Sequence, residues 1–237
     1  MASVASATGG EVDSVHDLAW KGDLHRLKLQ LDRDPSGAKR KDGSGRLVSH
    51  WAASGGHSEV MELAIEHGCP ADEEDDSGWT PLMLASAVGS SSTVRLLLHA
   101  GVDVNAKKSG GHSSLQYAVS KDRLEVAELL LQHGADVNIA DDIEQTPLHR
   151  AATTGNEKAL GLLLKHGASV NVADRYGRTA FYLACEEEHV GACLLLLGHE
   201  ANPDIPDKEG KKPREIASKK LIQGIGARWP QTVGNGA

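Results

Sequence analysis

Twelve histidines and three cysteines are the residues of this sequence best suited to metal binding or nucleophilic chemistry. His67, His133, His166 and His199 recur at multiples of 33 residues, and imidazoles in such number would suit a zinc centre if their nitrogens met at ~2 Å from one ion. The regular spacing argues otherwise. Equivalent atoms of stacked helical units stand roughly 8–10 Å apart, so helix capping or inter-unit hydrogen bonding fits these histidines better. Cys69, Cys185 and Cys193 have no paired ligand spacing. Cys185 and Cys193, eight residues apart across a helix turn, read as small apolar packing residues. The odd cysteine count argues against a disulfide framework and for a reducing compartment, the cytoplasm or nucleus. No nucleophile elbow, phosphate loop or paired-carboxylate motif occurs, so an enzyme has nothing to rest on and no cofactor is expected.

The elements that carry these residues follow from an internal repeat. Positions 47, 80, 113, 146, 179 and 212 fall into one column, marked by Thr80-Pro81-Leu82 and Thr146-Pro147-Leu148. Gly56, Gly89 and Gly155 recur later in the unit, with Asp122 and Glu188 as departures. Gly68, Gly101, Gly134 and Gly167 follow in segments such as HGADVN, and Gly45, Gly78, Gly111, Gly177 and Gly210 precede each start. Thr-Pro opens a helix by capping free amides, glycine suits a left-handed cap at a helix end, and Asp-x-x-Gly is a turn sequence. Helix, turn, helix and hairpin therefore recur every 33 residues. The expected fold is an all-α solenoid with β-hairpin fingers, about seven repeats starting near 13, 47, 80, 113, 146, 179 and 212. Five are regular and the two ends are polar caps, since an end unit meets water on one face. The repeat domain is expected over 13–223, with flexible tails at 1–12 and 224–237.

Large residues four positions after each start form a line: Trp51, Leu84, Tyr117, Arg150, Leu183 and Ile216. Trp, Tyr and Arg are common interface anchors, although Trp51 and Tyr117 would also serve to pack between repeats. Trp79 projects from a finger nearby. The net charge of the successive fingers alternates in sign, basic before Leu47, acidic before Thr80 where Asp76 lies, and so on along the stack. Alternation near the ~8 Å Debye length cancels at distance, so it either joins neighbouring fingers or sets register with a partner on contact. A formal charge of -8 and 3% aromatic content disfavour nucleic acid. No apolar run is long enough to span a bilayer. The expected ligand is another protein, bound by a monomer. Leu183, Cys185 and Glu187 also match the L-x-C-x-E pattern of peptides that dock on retinoblastoma-type pocket proteins. Such docking takes an extended strand, whereas these residues overlie the first helix of a repeat with Cys185 at a core position.

The 33-residue spacing with TPL and GADVN segments resembles the ankyrin repeat. Within that fold, HWAASGGHSEV, DDSGWTPLMLASAVG, YAVSKDRLEVAELLL, HRAATTGN and LACEEEHV resemble the gankyrin family of proteasome assembly chaperones, over about residues 13–221. Trp51, Trp79, Lys121 with Arg123, His149-Arg150 and Glu186 to Glu188 carry that resemblance beyond the general repeat. It implies a non-catalytic scaffold whose concave face grips the C-terminal domain of a proteasomal AAA ATPase subunit, with Arg46 and Lys121 facing its acidic residues. It also implies, as alternatives, a cell-cycle regulator that binds a cyclin-dependent kinase, retinoblastoma protein or a ubiquitin ligase. The partner-binding residues expected on this basis are Arg46, Trp51, Asp76, Trp79, Tyr117, Lys121, Arg150, Glu186 and Glu187. Ser49 stands where the pattern wants an apolar residue, so Leu47 or Val48 is expected to shift inward.

Overall fold

The computed structural model describes residues 13–229; the expected tail at 1–12 lies outside them, as do residues 230–237. Seven helix pairs follow one another: α1 (Val15–Lys21) with α2 (Leu24–Arg33), α3 (Val48–Gly55) with α4 (Ser58–Glu66), and α5 (Pro81–Val88) with α6 (Ser91–His99). Then come α7 (Ser114–Ser120) with α8 (Leu124–Gln132), α9 (Pro147–Thr153) with α10 (Glu157–Lys165), and α11 (Ala180–Glu186) with α12 (Val190–Gly198). The short pair α13 (Pro213–Ile216) and α14 (Lys219–Ile225) closes the stack. First helices pack on first helices and second on second, giving two layers.

The sequence dictates each boundary. Thr80 and Thr179 accept the N–H groups of Met83 and Tyr182 at the starts of α5 and α11, with proline in the first turn of α5. Ala52, Ala85, Ala118, Ala151 and Ala184, one per repeat, are fully buried, and their small side chains let adjacent first helices approach closely. Leu97, Leu130, Leu163 and Leu196 fill the same place in four second helices, each such burial stabilising by about 1.5–3 kcal/mol. Ser49 does not displace its neighbours as expected. It is fully buried in the leucine column together with Leu47 and Val48, because its hydroxyl donates to the Pro70 carbonyl at 2.9 Å. That bond satisfies the polar group which would otherwise be costly to bury.

The structure corrects two expectations. The fingers are turns rather than β-hairpins: the described residues form no sheet, only isolated bridges between Lys107 and Ser113 and between Ala173 and Thr179. Each loop closes on a tight turn and leaves too few residues for paired strands. The boundary at 223 also falls short, since α14 runs to Ile225 and Trp229 is buried edge-on against Phe181 at 5.5 Å. A large apolar ring covers the last full repeat where the cap helices are too short to do so.

Candidate functional site

The face built from the first helices and the fingers begins with one aspartate per finger. In five fingers a carboxylate oxygen, from Asp42, Asp75, Asp141, Asp174 or Asp207, accepts the backbone N–H groups two and four residues on. The third finger has Lys108 at this place. Lacking that acceptor, it turns with Gly110 at φ 93, the left-handed third position of a type II turn.

Fingertips are joined by single backbone bonds. Asp76 donates to the Ser44 carbonyl, Asp142 to Gly110, Arg175 to Ile143 and Lys208 to Tyr176. Among the described residues no such bond joins the second finger to the third, where the Lys108 ammonium instead lies 5.1 Å over the Trp79 ring. Below the fingers a second ladder joins the repeats. His50, Gln116 and His149 each reach the backbone carbonyl twenty-nine residues ahead, of Trp79, Gln145 and Arg178. Each also caps its own helix by accepting an N–H, from Leu47, Ser113 and Thr146. For both histidines this fixes Nδ1 as acceptor and Nε2–H as donor. Burial lowers the pKa of His50 and His149 below the ordinary imidazole value, against the opposing pull of the carbonyls they face.

The expected partner-binding residues divide into those tied into the stack and those left free. The Arg46 side chain donates to Asp75 at 2.9 Å and lies 5.4 Å over the Trp51 ring. Burial alone would raise the Asp75 carboxyl, but Arg46 and the N–H groups of Trp79 and Ser77 outweigh it and hold it below the ordinary carboxylate range. Trp51 is half-buried and donates its indole N–H to Asp42 at 2.9 Å. Trp79 stacks on Tyr117 at 4.5 Å, and His112 stacks on the Tyr117 ring at 5.9 Å. Arg150 donates to the fully buried carboxylate of Asp141 at 2.6 Å and to His112. The row Trp51, Trp79, Tyr117, Arg150 is thus one connected, half-buried surface across four repeats. Asp76, Lys121 and Glu187 are exposed and make no ion pair among the described residues, while Glu186 lies 3.4 Å from Arg178. Of the alternating finger charges, Lys41 with Glu73 and Arg46 with Asp75 join the first finger to the second.

Leu183 and Cys185 of the L-x-C-x-E match are buried in α11, and Glu187 is exposed just after it. The segment is helical, with its leucine and cysteine turned into the core. His67 and His133 cap their own helices by bonding the Leu63 and Leu129 carbonyls. The sequence reading missed the parts of His112, Lys108 and Asp141. One signal was available, since an aspartate stands five places before each start except at Lys108.

Toward the C-terminal end the same face forms a cleft of about 640 Å³ lined by Tyr176, Arg178, Tyr182, Asp207, Lys208 and Ile216, among others. Tyr182 donates to Asp207 at 2.7 Å, and burial together with that carboxylate raises the phenol's pKa. Aromatic rings with charges of both signs suit a polar protein surface.

Such a two-layer stack, with paired helices, finger turns and an anchor-bearing inner face, is a repeat scaffold for protein binding. A family model described as "Ankyrin repeats (3 copies)" matches residues 15–108 and 115–207, and the chain belongs to that family. It is 43% identical over 67 residues to the 26S proteasome non-ATPase regulatory subunit 10 of Rattus norvegicus, and 42% identical over 67 residues to that of Homo sapiens. The matched part is 28% of this chain and 29% or 30% of the relative, so it spans less than a third of either protein. The crystal structure of the human ASB11 ankyrin repeat domain superposes with a TM-score of 0.85 at 25% identity, covering 93% of this chain and 99% of that one.

Proposed function

We propose that this scaffold assists assembly of the proteasome regulatory particle by gripping the C-terminal domain of an AAA ATPase subunit with its inner-helix face. The observation that carries the reading is the connected row of Trp51, Trp79, Tyr117 and Arg150 across four successive repeats, with Lys121 exposed beside it. Aromatic and arginine anchors with a free charge at the rim suit the recognition of a folded, acidic partner surface. The relatives named as proteasome regulatory subunits support the identity of the partner.

Lys121→Glu is the informative variant, because its side chain is exposed and makes no ion pair among the described residues. Reversing Arg46 would also break the bond to buried Asp75 and confound folding with binding. Titration calorimetry against a purified ATPase C-terminal domain should show at least ~10-fold weaker binding for Lys121→Glu, with the helical circular dichroism signal unchanged. Affinity purification should recover proteasomal ATPases. Unchanged affinity, or recovery of cullins or kinases alone, overturns the reading.

A further inference from the structure

We propose that Cys185 and Cys193 form an oxidation site, at which a hydroperoxide joins the two thiols in a disulfide that staples α11 to α12. The sulfurs stand 3.7 Å apart, one on each helix of the sixth pair, and both residues are fully buried. A disulfide bond is ~2.05 Å long, so the sulfurs must close by about 1.7 Å from their 3.7 Å separation. Packing alone does not ask for sulfur at either place. The residues equivalent to Cys185 are Ala53, Ser86, Val119 and Ala152, and those equivalent to Cys193 are Met61, Val94, Ala127 and Leu160. Only in the sixth repeat does this contacting pair of positions hold two thiols.

Position in the stack supplies the access. The neighbour on the open side is the cap, α13 with four residues and α14 with seven, held mainly by Leu221, Ile225 and Trp229. A unit with helices this short buries less apolar surface than a full repeat and opens more readily. While the cap is closed, the Cys193 sulfur and burial together keep the Cys185 thiol protonated and unreactive. When it opens, one thiolate attacks the peroxide oxygen, giving a sulfenic acid and releasing water. The second thiolate then attacks that sulfur, the S–S bond forms, and the hydroxyl leaves as a second water. Two thiols are oxidised by two electrons and one peroxide is reduced, so no further reagent is required. The staple holds the L-x-C-x-E segment in its helix and removes both thiols from further oxidation.

The test uses the full chain in ~1 mM hydrogen peroxide, followed by alkylation of remaining thiols in denaturant. Trypsin leaves both cysteines in one peptide, but cleavage after Glu186, Glu187 or Glu188 separates them. Non-reducing mass spectrometry after that cleavage should therefore find the two fragments still joined, with Cys69 alkylated. Cys193→Ala and Cys185→Ala each place a residue already present at the equivalent position of another repeat, and neither should give a joined peptide. Amides of α11 and α12 should exchange with solvent at least ~10-fold more slowly in the stapled chain. Loss of both thiols without a joined peptide, or no loss after a day in peroxide, overturns the proposal. Leu221→Ala loosens the cap and should speed stapling; an unchanged rate overturns access through the cap.

Discussion

Replacing His50 and His149 together by glutamine should lessen the stack's loss of stability between pH 7.5 and about 5.5, by the linkage between proton binding and folding. Both rings are buried with Nδ1 accepting a helix-capping N–H and Nε2 facing the carbonyl of the next finger. A proton on Nδ1 would oppose that N–H, so the folded state holds the rings neutral and their pKa is lowered from 6.5 by burial. The unfolded chain takes up the proton first as pH falls. Stability contributed by the neutral rings is therefore complete above about pH 6.5 and is lost as pH drops from there toward the lowered folded value. One unit below the unfolded value, a ring that stays neutral in the folded state costs at most about 1.4 kcal/mol, so the two together account for no more than about 3 kcal/mol. Gln116 shows that glutamine fits the role, since its amide accepts the Ser113 N–H and donates to the Gln145 carbonyl. Urea unfolding of the wild type and of His50→Gln/His149→Gln, followed by circular dichroism at both pH values, isolates the effect because all other titrating groups are common to both. A pH dependence unchanged by the double replacement would refute the assignment.

Glu144 and Glu200 adopt left-handed φ of 63 and 65 at places where sister repeats carry glycine. Glu144→Gly and Glu200→Gly should each stabilise by about 0.5–1 kcal/mol, as relief of side-chain strain exceeds the extra backbone entropy of glycine, and thermal unfolding checks this. Asp122 and Glu188 share the conformation but bond Asn156 and Ser218, so the same change there should gain less or destabilise. A double-mutant cycle on Asp141→Asn and Arg150→Met should give a coupling of about 1–3 kcal/mol, because each single change strands the partner of a 2.6 Å pair with a fully buried carboxylate. Additive losses measured by urea unfolding would remove Arg150 from the structural network.

The repeat register was legible because glycine, proline and threonine answer to local backbone demands at fixed intervals, and those demands hold whatever the repeat packs against. Arg46, Trp51 and Arg150 were legible as residues of the inner face, but not as residues tied down, since their partners Asp75, Asp42 and Asp141 come from the finger turns. Which charges remain free depends on three-dimensional pairing across fingers. Trp229 escaped for a related reason: it lies beyond the last recognisable repeat, and only the three-dimensional fold shows the Phe181 ring it covers. Of the histidines recurring at 33-residue intervals, His67 both caps its helix and reaches Asp32 of the preceding repeat, whereas ring bonds to the backbone of a neighbouring repeat belong to His50 and His149 and, at other positions, to His57 and His189.

The second and third fingers are pinned at the base, where the Asp103 N–H donates to Asp72 at 2.8 Å, and carry no backbone clasp at the tip. A joint closed below and open above is a wedge-shaped slot. Splaying it separates Lys108 from the Trp79 ring and slides Trp79 over Tyr117, yet breaks no fingertip backbone bond, whereas splaying any of the other four joints between fingers breaks one. The width of the inner face is therefore set most cheaply at one place, between the acidic second finger and the basic third. A body too broad for the resting stack would be accommodated there, with the N-terminal fingers swinging as one block and the C-terminal four holding still.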